Sequence, residues 1–193
     1  MWTSSSVSSA TASFNLRNMM RLFLTGVPGV GKTTVIRAII ERLDELNCAG
    51  FYSEEKRQGG QRVGFRVVTL DGKEAKLASV GRKEPTVGRY SVHVEEFEKL
   101  VLPDLDPRTT PADLYVVDEI GKMELLSREF RTRITDLLAH PRNLLATIAK
   151  KGKGFVQQIK ARNDIELIEV TRTNRDQLPD KIARKIKEEL GTL

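Results

Sequence analysis

The sequence is poor in the residues that build disulfides and metal clusters. Among its 193 residues it has one cysteine, Cys48, and two histidines, His93 and His140. A single cysteine excludes an internal disulfide and any cysteine-based zinc cluster, and two histidines argue against a transition-metal site. The lack of disulfides is compatible with a reducing compartment.

Long apolar runs and aromatic residues are scarce as well. No apolar run approaches the ~20 residues of a membrane-spanning helix, so we expect no membrane partner. Aromatic residues make up 6% of the chain, and 26 acidic residues are scattered among 32 lysines and arginines. Nucleic-acid-binding proteins typically show a basic face with aromatic platforms. We therefore do not expect nucleic acid as a partner, and an anionic small molecule explains the net charge of +6 equally well.

Residues 1–20 contain no acidic side chain. They are rich in serine and contain one arginine, Arg17, and the first acidic residue of the chain is Glu41. This composition is typical of an organellar transit peptide, and it equally fits a disordered tail before a start at Met19 or Met20. We assign residues 1–20 to a leader and 21–193 to one domain. Its expected location is the cytoplasm or, if the leader is a transit peptide, a mitochondrion or plastid.

Apolar strands and amphipathic helices alternate along residues 21–193. Hydrophobic spacing predicts strands at 21–25, 114–117, 144–148 and 166–170, and helices at 32–47, 92–102, 127–139, 155–162 and 178–190. Residues 62–80 predict a hairpin that turns at Asp71–Gly72, and Pro103, Pro107 and Pro111 indicate a loop. The pattern predicts an α/β fold with a mostly parallel sheet, helices on both faces and an inserted β-hairpin.

A glycine-rich motif lies between the first predicted strand and the first predicted helix. Residues 26–33, GVPGVGKT, match G-x-x-x-x-G-K-[ST], the phosphate-binding P-loop. Glycines let backbone N–H groups turn towards phosphate oxygens, and the helix N-terminus favours negative charge. We expect Lys32 to reach the β- and γ-phosphates and the Thr33 hydroxyl to bind Mg²⁺.

Two adjacent carboxylates follow the second predicted strand. Asp118 ends that strand, where open α/β sheets place ligand-binding groups, and is predicted to hold Mg²⁺ together with Thr33. Glu119 is predicted to orient an attacking water or accept its proton. Glu124 is a weaker candidate, which either assists Glu119 or is a solvated surface residue.

Three further groups at the predicted sheet edge are secondary candidates. Thr147 ends a strand and can either pack or contact the γ-phosphate or the water. The lysines Lys150, Lys151 and Lys153 either neutralise phosphate charge or are solvated. Residues 171–175 can flank the base through arginine stacking or asparagine hydrogen bonds.

The motifs resemble those of the small nucleoside-triphosphatases first described in thermophiles, whose animal members are called cancer-related nucleoside-triphosphatase. The resemblance covers about residues 21–190. It rests on GVPGVGKTT at 26–34, GFYSEEKRQGGQRVGF at 50–65, VGRYSVHVEEFE at 87–98, VVDEIGKMELLS at 116–127, ATIAKKGKGFVQQIKARNDI at 146–165 and TRTNRD at 171–176. The P-loop is common to a large superfamily, whereas DEIGKMEL and the Glu-Lys-Arg stretch are far more diagnostic.

This resemblance implies a RecA-like core and slow, Mg²⁺-dependent hydrolysis of ATP, GTP and other nucleoside triphosphates. Broad base tolerance follows if the phosphates and the ion supply most of the binding energy. The implied nucleotide-contacting residues form two segments. They are Gly26, Val27, Pro28, Gly29, Val30, Gly31, Lys32, Thr33 and Thr34, and Leu114, Tyr115, Val116, Val117, Asp118, Glu119, Ile120 and Gly121.

Two other functions remain open on the sequence. A small-molecule or nucleotide kinase has a similar size and opening motif, although this chain lacks an evident arginine-rich lid. A nucleotide-switched binding module would use weak hydrolysis as a timer, and nothing in the sequence names its protein partner. An arginine in cis, such as Arg57, Arg62 or Arg89, is a candidate for stabilising the transition state.

Overall fold

A computed structural model describes residues 19–192, which form one nine-stranded sheet flanked by helices. The strands are Arg21–Gly26 (β1), Cys48–Gln58 (β2), Gln61–Thr69 (β3), Glu74–Val80 (β4), Thr86–Val87 (β5), Tyr90–Val92 (β6), Leu114–Ile120 (β7), Leu144–Ala149 (β8) and Glu166–Glu169 (β9). The helices are Lys32–Ile40 (α1), Val94–Asp104 (α2), Arg128–Ala139 (α3), Phe155–Lys160 (α4) and Leu178–Leu190 (α5). A single 3₁₀ turn, Glu124–Leu126, precedes α3.

The strand order is β5-β6-β4-β3-β2-β7-β8-β1-β9. Strands β2, β7, β8, β1 and β9 are parallel, and this half of the sheet forms the core of the α/β fold. Strand β8 lies between β1, which leads into the glycine-rich motif, and β7, which carries Asp118. This arrangement confirms the expected α/β fold and its RecA-like core.

Helices cover both faces of the sheet, as predicted, because the central strands alternate their side chains between two apolar cores. In β1, Leu22 and Leu24 join the core under α1 and α5, whereas Phe23 points to the core under α2, α3 and α4. A cluster of edge-to-face aromatic contacts, Phe51, Phe97 and Phe130, fills the second core. Burial on both faces is typical of parallel strands.

The inserted hairpin is confirmed but forms part of a larger antiparallel extension. The predicted pair corresponds to β3 and β4, and the turn at Asp71–Gly72 is present. Strand β2 was not predicted because residues 53–58 are polar and charged and lack an apolar pattern. It joins the parallel and antiparallel parts of the sheet, because its residues 48–51 pair with β7 and its residues 51–58 pair with β3. The short strands β5 and β6 were missed as well.

The ends of α1 and α2 differ from the predicted ones. Helix α1 ends at Ile40 rather than at Asn47, and the chain continues in turns with i→i−3 hydrogen bonds from Arg42 and Leu43. Those turns still bury Leu43, so the apolar spacing continues beyond the helix. Helix α2 extends through Pro103, which was assigned to a loop.

Both ends of the described chain lie at the amino ends of the parallel strands. The backbone N–H of Met20 donates to Asn143 Oδ1, and Met20 is buried in the core. Asn143 also lines a cleft with Leu190 and Thr192, after the end of α5. The predicted leader lies outside the described residues except for Met19 and Met20. Within residues 19–192, no helix has the length and apolar character needed to span a bilayer.

Candidate active site

The glycine-rich motif forms a loop at the N-terminus of α1. Gly29 and Gly31 adopt φ values of 74° and 107°, which are open to glycine but strained for other residues. Helix α1 begins immediately afterwards at Lys32. A Cβ on Gly26 would lie 2.7 Å from the Val170 carbonyl oxygen, so glycine is also needed where the loop leaves the sheet. The loop therefore has the geometry of an anion cradle.

Asp118 links this loop to the neighbouring strands. Its Oδ2 accepts a 2.6 Å hydrogen bond from Thr33 Oγ1, and its Oδ1 accepts one of 2.5 Å from Thr147 Oγ1 on β8. The aspartate is 1% exposed, and this burial raises its pKa, while bonds from Thr147, Thr33 and the Ser53 backbone oppose the rise. The structure thus joins the predicted pair, Thr33 and Asp118, and adds Thr147 to it.

The charge of Lys32 acts on Asp118 and Glu119, the two carboxylates near the end of β7. Lys32 is buried, at 8% exposure, and it favours the ionised forms of Glu119 and Asp118. Burial raises the pKa of Glu119, Lys32 opposes the rise, and Asp118 adds to it. The peptide bond between Asp118 and Glu119 is cis. The structure therefore brings the three predicted catalytic residues into one electrostatic cluster.

Glu124 is more closely associated with the site than its sequence position indicated. It is 5% exposed, and burial together with the charge of Glu119 raises its pKa to about 8. A Cβ on Gly121 would lie 3.0 Å from Glu124 Oε2 and 3.2 Å from Glu119 Cδ. The two glutamates therefore flank the same glycine. No residue pattern in the sequence signalled this, because the contact arises from the 3₁₀ turn.

The remaining residues of the second predicted segment support these carboxylates from within the sheet. Leu114, Tyr115, Val116 and Val117 are buried in β7. Tyr115 also donates its hydroxyl to the Thr110 carbonyl oxygen. In the structure, these four residues place Asp118 and Glu119 at the carboxyl edge of the sheet.

The three candidate arginines make their contacts within the antiparallel part of the sheet, which is formed by β2 to β6. Arg57 and Arg62 pair with Glu55, and Arg89 donates to the Arg62 carbonyl oxygen. A different arginine contacts the phosphate loop: Arg175 Nη1 donates a 3.2 Å hydrogen bond to the Val30 carbonyl oxygen. Its Cδ lies 3.7 Å from where a Cβ on Gly31 would be.

The three lysines near the end of β8, Lys150, Lys151 and Lys153, differ in their contacts. Lys150 forms an ion pair with Glu169, whereas Lys151 and Lys153 are exposed. Lys160, on α4, donates to the Lys150 carbonyl oxygen at 2.9 Å and to Thr25 Oγ1 at 3.3 Å. The segment is therefore tied to β1 one residue before the phosphate loop.

The donor set at the site fits Mg²⁺. This ion prefers oxygen ligands, usually one or two protein groups completed by water and substrate phosphates. Thr33 and Asp118 supply a hydroxyl and a carboxylate that are already in contact. Among residues 19–192, no three His, Cys, Asp or Glu side chains form a self-sufficient metal cluster. Such a pair suits an ion that arrives with a phosphorylated ligand.

Comparison with known families decides the assignment. The family model described as NTPase matches residues 21–183. The chain belongs to this nucleoside-triphosphatase family. The nucleoside-triphosphatase THEP1 of Thermotoga maritima is 41% identical to it over 169 residues, covering 87% of this chain and 96% of the relative. The human cancer-related nucleoside-triphosphatase is 44% identical over 176 residues, covering 82% and 93%.

A solved structure of the nucleoside-triphosphatase family has the same fold. The crystal structure of THEP1 from Aquifex aeolicus superimposes with a TM-score of 0.80 at 36% identity. The match covers 87% of this chain and 99% of that structure. The family membership expected from the motifs is therefore confirmed along nearly the whole described chain.

Proposed function

We propose that this chain hydrolyses nucleoside 5′-triphosphates to the diphosphate and phosphate, slowly, with Mg²⁺ and with broad tolerance of the base. Family membership supports the reaction, since the matched relatives are named nucleoside-triphosphatases. The observation that carries the mechanism is the 2.6 Å hydrogen bond between Thr33 and Asp118. It joins the phosphate loop to the strand that carries the carboxylates.

The phosphate loop would bind the triphosphate. Backbone N–H groups around Gly29 and Gly31 and the N-terminus of α1 stabilise negative charge, and Lys32 adds a full positive charge. Because these groups address the phosphates and not the base, they bind different nucleotides similarly. This is the physical basis of the proposed base tolerance.

Thr33 and Asp118 would hold Mg²⁺, which when bound neutralises charge that develops on the phosphate oxygens. The Thr147 hydroxyl fixes Oδ1 of Asp118 and leaves Oδ2 directed at Thr33. The carboxylate is therefore held from both sides before nucleotide arrives. Such preorganisation lowers the cost of arranging the site during the reaction.

Glu119 would position the attacking water and take its proton. The water oxygen forms a bond to the γ-phosphorus, the bond from that phosphorus to the β–γ bridging oxygen breaks, and the diphosphate leaves. Burial and the adjacent Asp118 increase the proton affinity of Glu119, as a general base requires. The charge of Lys32 opposes this effect and favours the ionised carboxylate that accepts the proton.

Phosphate release from ATP, GTP and CTP, with and without Mg²⁺, tests this proposal in the full chain. We expect Mg²⁺-dependent release from all three, and a fall of about 100-fold or more in kcat for Glu119→Gln. Glu129→Gln, an exposed glutamate on α3, is the matched control. A Glu119→Gln protein that hydrolyses as fast as the parent would contradict the assigned role. Tight binding without release in the parent would favour a kinase or a nucleotide switch.

A further inference from the structure

Glu124 is a buried carboxyl group that the proposed mechanism does not use. It lies in the 3₁₀ turn that follows β7, and its side chain folds back onto the turn. The backbone N–H groups of Gly121 and of Glu124 itself favour the ionised form of its carboxyl group, which opposes the effect of burial on its pKa. The turn is closed from the other side by the Leu125 N–H, which donates to the Gly121 carbonyl oxygen at 3.0 Å.

Gly121 brings the side chains of Glu119 and Glu124 together. A methyl group there would approach Glu124 Oε2 to 3.0 Å and both Cγ and Cδ of Glu119 to 3.2 Å. The two side chains therefore pack over the face of Gly121 that any larger residue would occupy. The position of one carboxyl group restricts the position of the other.

We propose that Glu124 is a positioning residue for Glu119: it holds the turn at Gly121 and thereby fixes the carboxylate that orients the attacking water. This inference rests on the proposed function of Glu119. Glu124 touches the turn and not the reacting atoms, so its contribution is geometric. A displacement of a general base by about 1 Å costs on the order of 100-fold in rate.

The charge state of Glu124 follows from its surroundings. The charges that bear on it are Glu119 and Asp118, both on β7. On α2, Glu98 is engaged by the Ser127 hydroxyl, and at the start of α3 Arg128, Glu129 and Arg131 are exposed. Lys32 acts on the other two carboxylates. Two carboxyl groups that flank one glycine disfavour ionising together, and this repulsion adds to burial in raising the pKa of Glu124 to about 8.

Ionisation of Glu124 would weaken the arrangement. A second negative charge beside Glu119 repels that carboxylate and opposes the approach of the anionic substrate. The pKa of about 8 places this change within reach of a pH–rate profile. Glutamine in place of Glu124 keeps an acceptor for the two N–H groups but cannot ionise.

The experiment compares kcat and KM of the full chain from pH 6 to pH 9.5 for the parent, Glu124→Gln and Glu124→Ala. We expect Glu124→Gln to retain kcat at pH 7 within about threefold and to lack the loss of activity that the parent shows as pH rises through about 8. Glu124→Ala should lose about 10- to 100-fold in kcat while KM changes by less than about threefold. Glu129→Gln is the control for removing an acidic residue nearby.

Two outcomes would overturn the inference. One is that kcat falls above pH 8 by the same factor in the parent and in Glu124→Gln, and the other is that Glu124→Ala keeps the kcat of the parent. If Glu124→Ala does not fold, as judged by circular dichroism, the dependence of kcat on pH above 8 in Glu124→Gln decides between the outcomes. Glu119→Gln, run alongside, separates the two proposals. An inactive Glu119→Gln with parent-like Glu124 variants contradicts only the role of Glu124, whereas a fully active Glu119→Gln contradicts the proposed function.

Discussion

Thr147 on β8 donates a 2.5 Å hydrogen bond to the buried carboxylate of Asp118 on the neighbouring strand β7. The bond crosses from one parallel strand to the next at the carboxyl edge of the sheet. With Thr33 on the other oxygen, it leaves Asp118 with a hydroxyl donor on each side. The site is therefore built from three elements that are distant in sequence.

Thr147→Val should destabilise the fold and weaken Mg²⁺ dependence. Valine preserves the shape but removes the donor, which leaves a buried carboxylate oxygen short of a partner and costs about 1–3 kcal/mol of unfolding free energy. Urea unfolding measures the loss, and a Mg²⁺ titration of phosphate release measures the effect on the site. Thr147→Ser retains the hydroxyl and should restore the Mg²⁺ response. Equal Mg²⁺ titrations for the valine and serine variants would contradict this role.

Arg175→Ala should raise KM for every nucleoside triphosphate by about three- to tenfold, with a smaller effect on kcat. The Arg175 guanidinium supports the phosphate loop through the Val30 carbonyl oxygen, and its removal leaves the loop less ordered before binding. Steady-state kinetics with ATP and GTP measure the change. Arg172→Ala removes an exposed arginine of the same segment and should behave like the parent. A rise confined to one base would instead indicate contact with the base.

Glu124→Gln should change how stability depends on pH. The pKa of Glu124 is raised in the folded chain from 4.5 to about 8, so the folded state binds a proton that the unfolded state has lost. Stability of the parent therefore falls as pH rises from about 5 to about 8, by up to about 1.4 kcal/mol per pH unit from this group. Denaturant unfolding at several pH values should show a flatter profile for Glu124→Gln over this range. Identical slopes would show that Glu124 does not hold its proton in the fold.

Gly50→Ala should destabilise the chain strongly. Gly50 has φ of +122°, and a Cβ would lie 1.9 Å from the Val116 carbonyl oxygen in the adjacent strand β7. Backbone strain alone costs about 1–3 kcal/mol, and the clash adds to it. Gly59→Ala, at the hairpin tip with φ of +55° and open space around it, provides the matched control for strain without a clash. Thermal unfolding should show a larger fall in Tm for Gly50→Ala than for Gly59→Ala. Equal falls in Tm would mean that β2 and β7 move apart easily to relieve the clash.

The phosphate loop and its flanking elements could be predicted because their information is local. The motif at 26–33 needs a preceding strand and a following helix, and all three are contiguous in the sequence. Asp118 and Glu119 could be predicted for a related reason, since carboxylates at the end of a buried parallel strand lie at the ligand-binding edge. These are also the segments on which the family resemblance rests.

The parts that were missed depend on contacts between distant residues. Strand β2 carries charged residues along its second half, and only its pairing with β3 makes them extended. Among them, Glu54 lies between Arg37 and Arg66, so the charges are used to join α1 to the hairpin. Glu124 was predicted only as a weaker candidate, because its approach to Glu119 depends on a turn conformation that no apolar spacing encodes. Local pattern therefore located the candidate site residues, and pairing between distant segments determined how the structure brings them together.

The position of Met20 against Asn143, with Leu190 and Thr192 lining the cleft beside it, makes the described chain suitable for circular permutation. A short linker joining Thr192 to Met20 would run along the edge opposite the phosphate loop, and new termini could open at Gly59–Gly60. The same geometry suits surface immobilisation: a tether attached at Thr192 would leave the edge that carries the phosphate loop facing the solution.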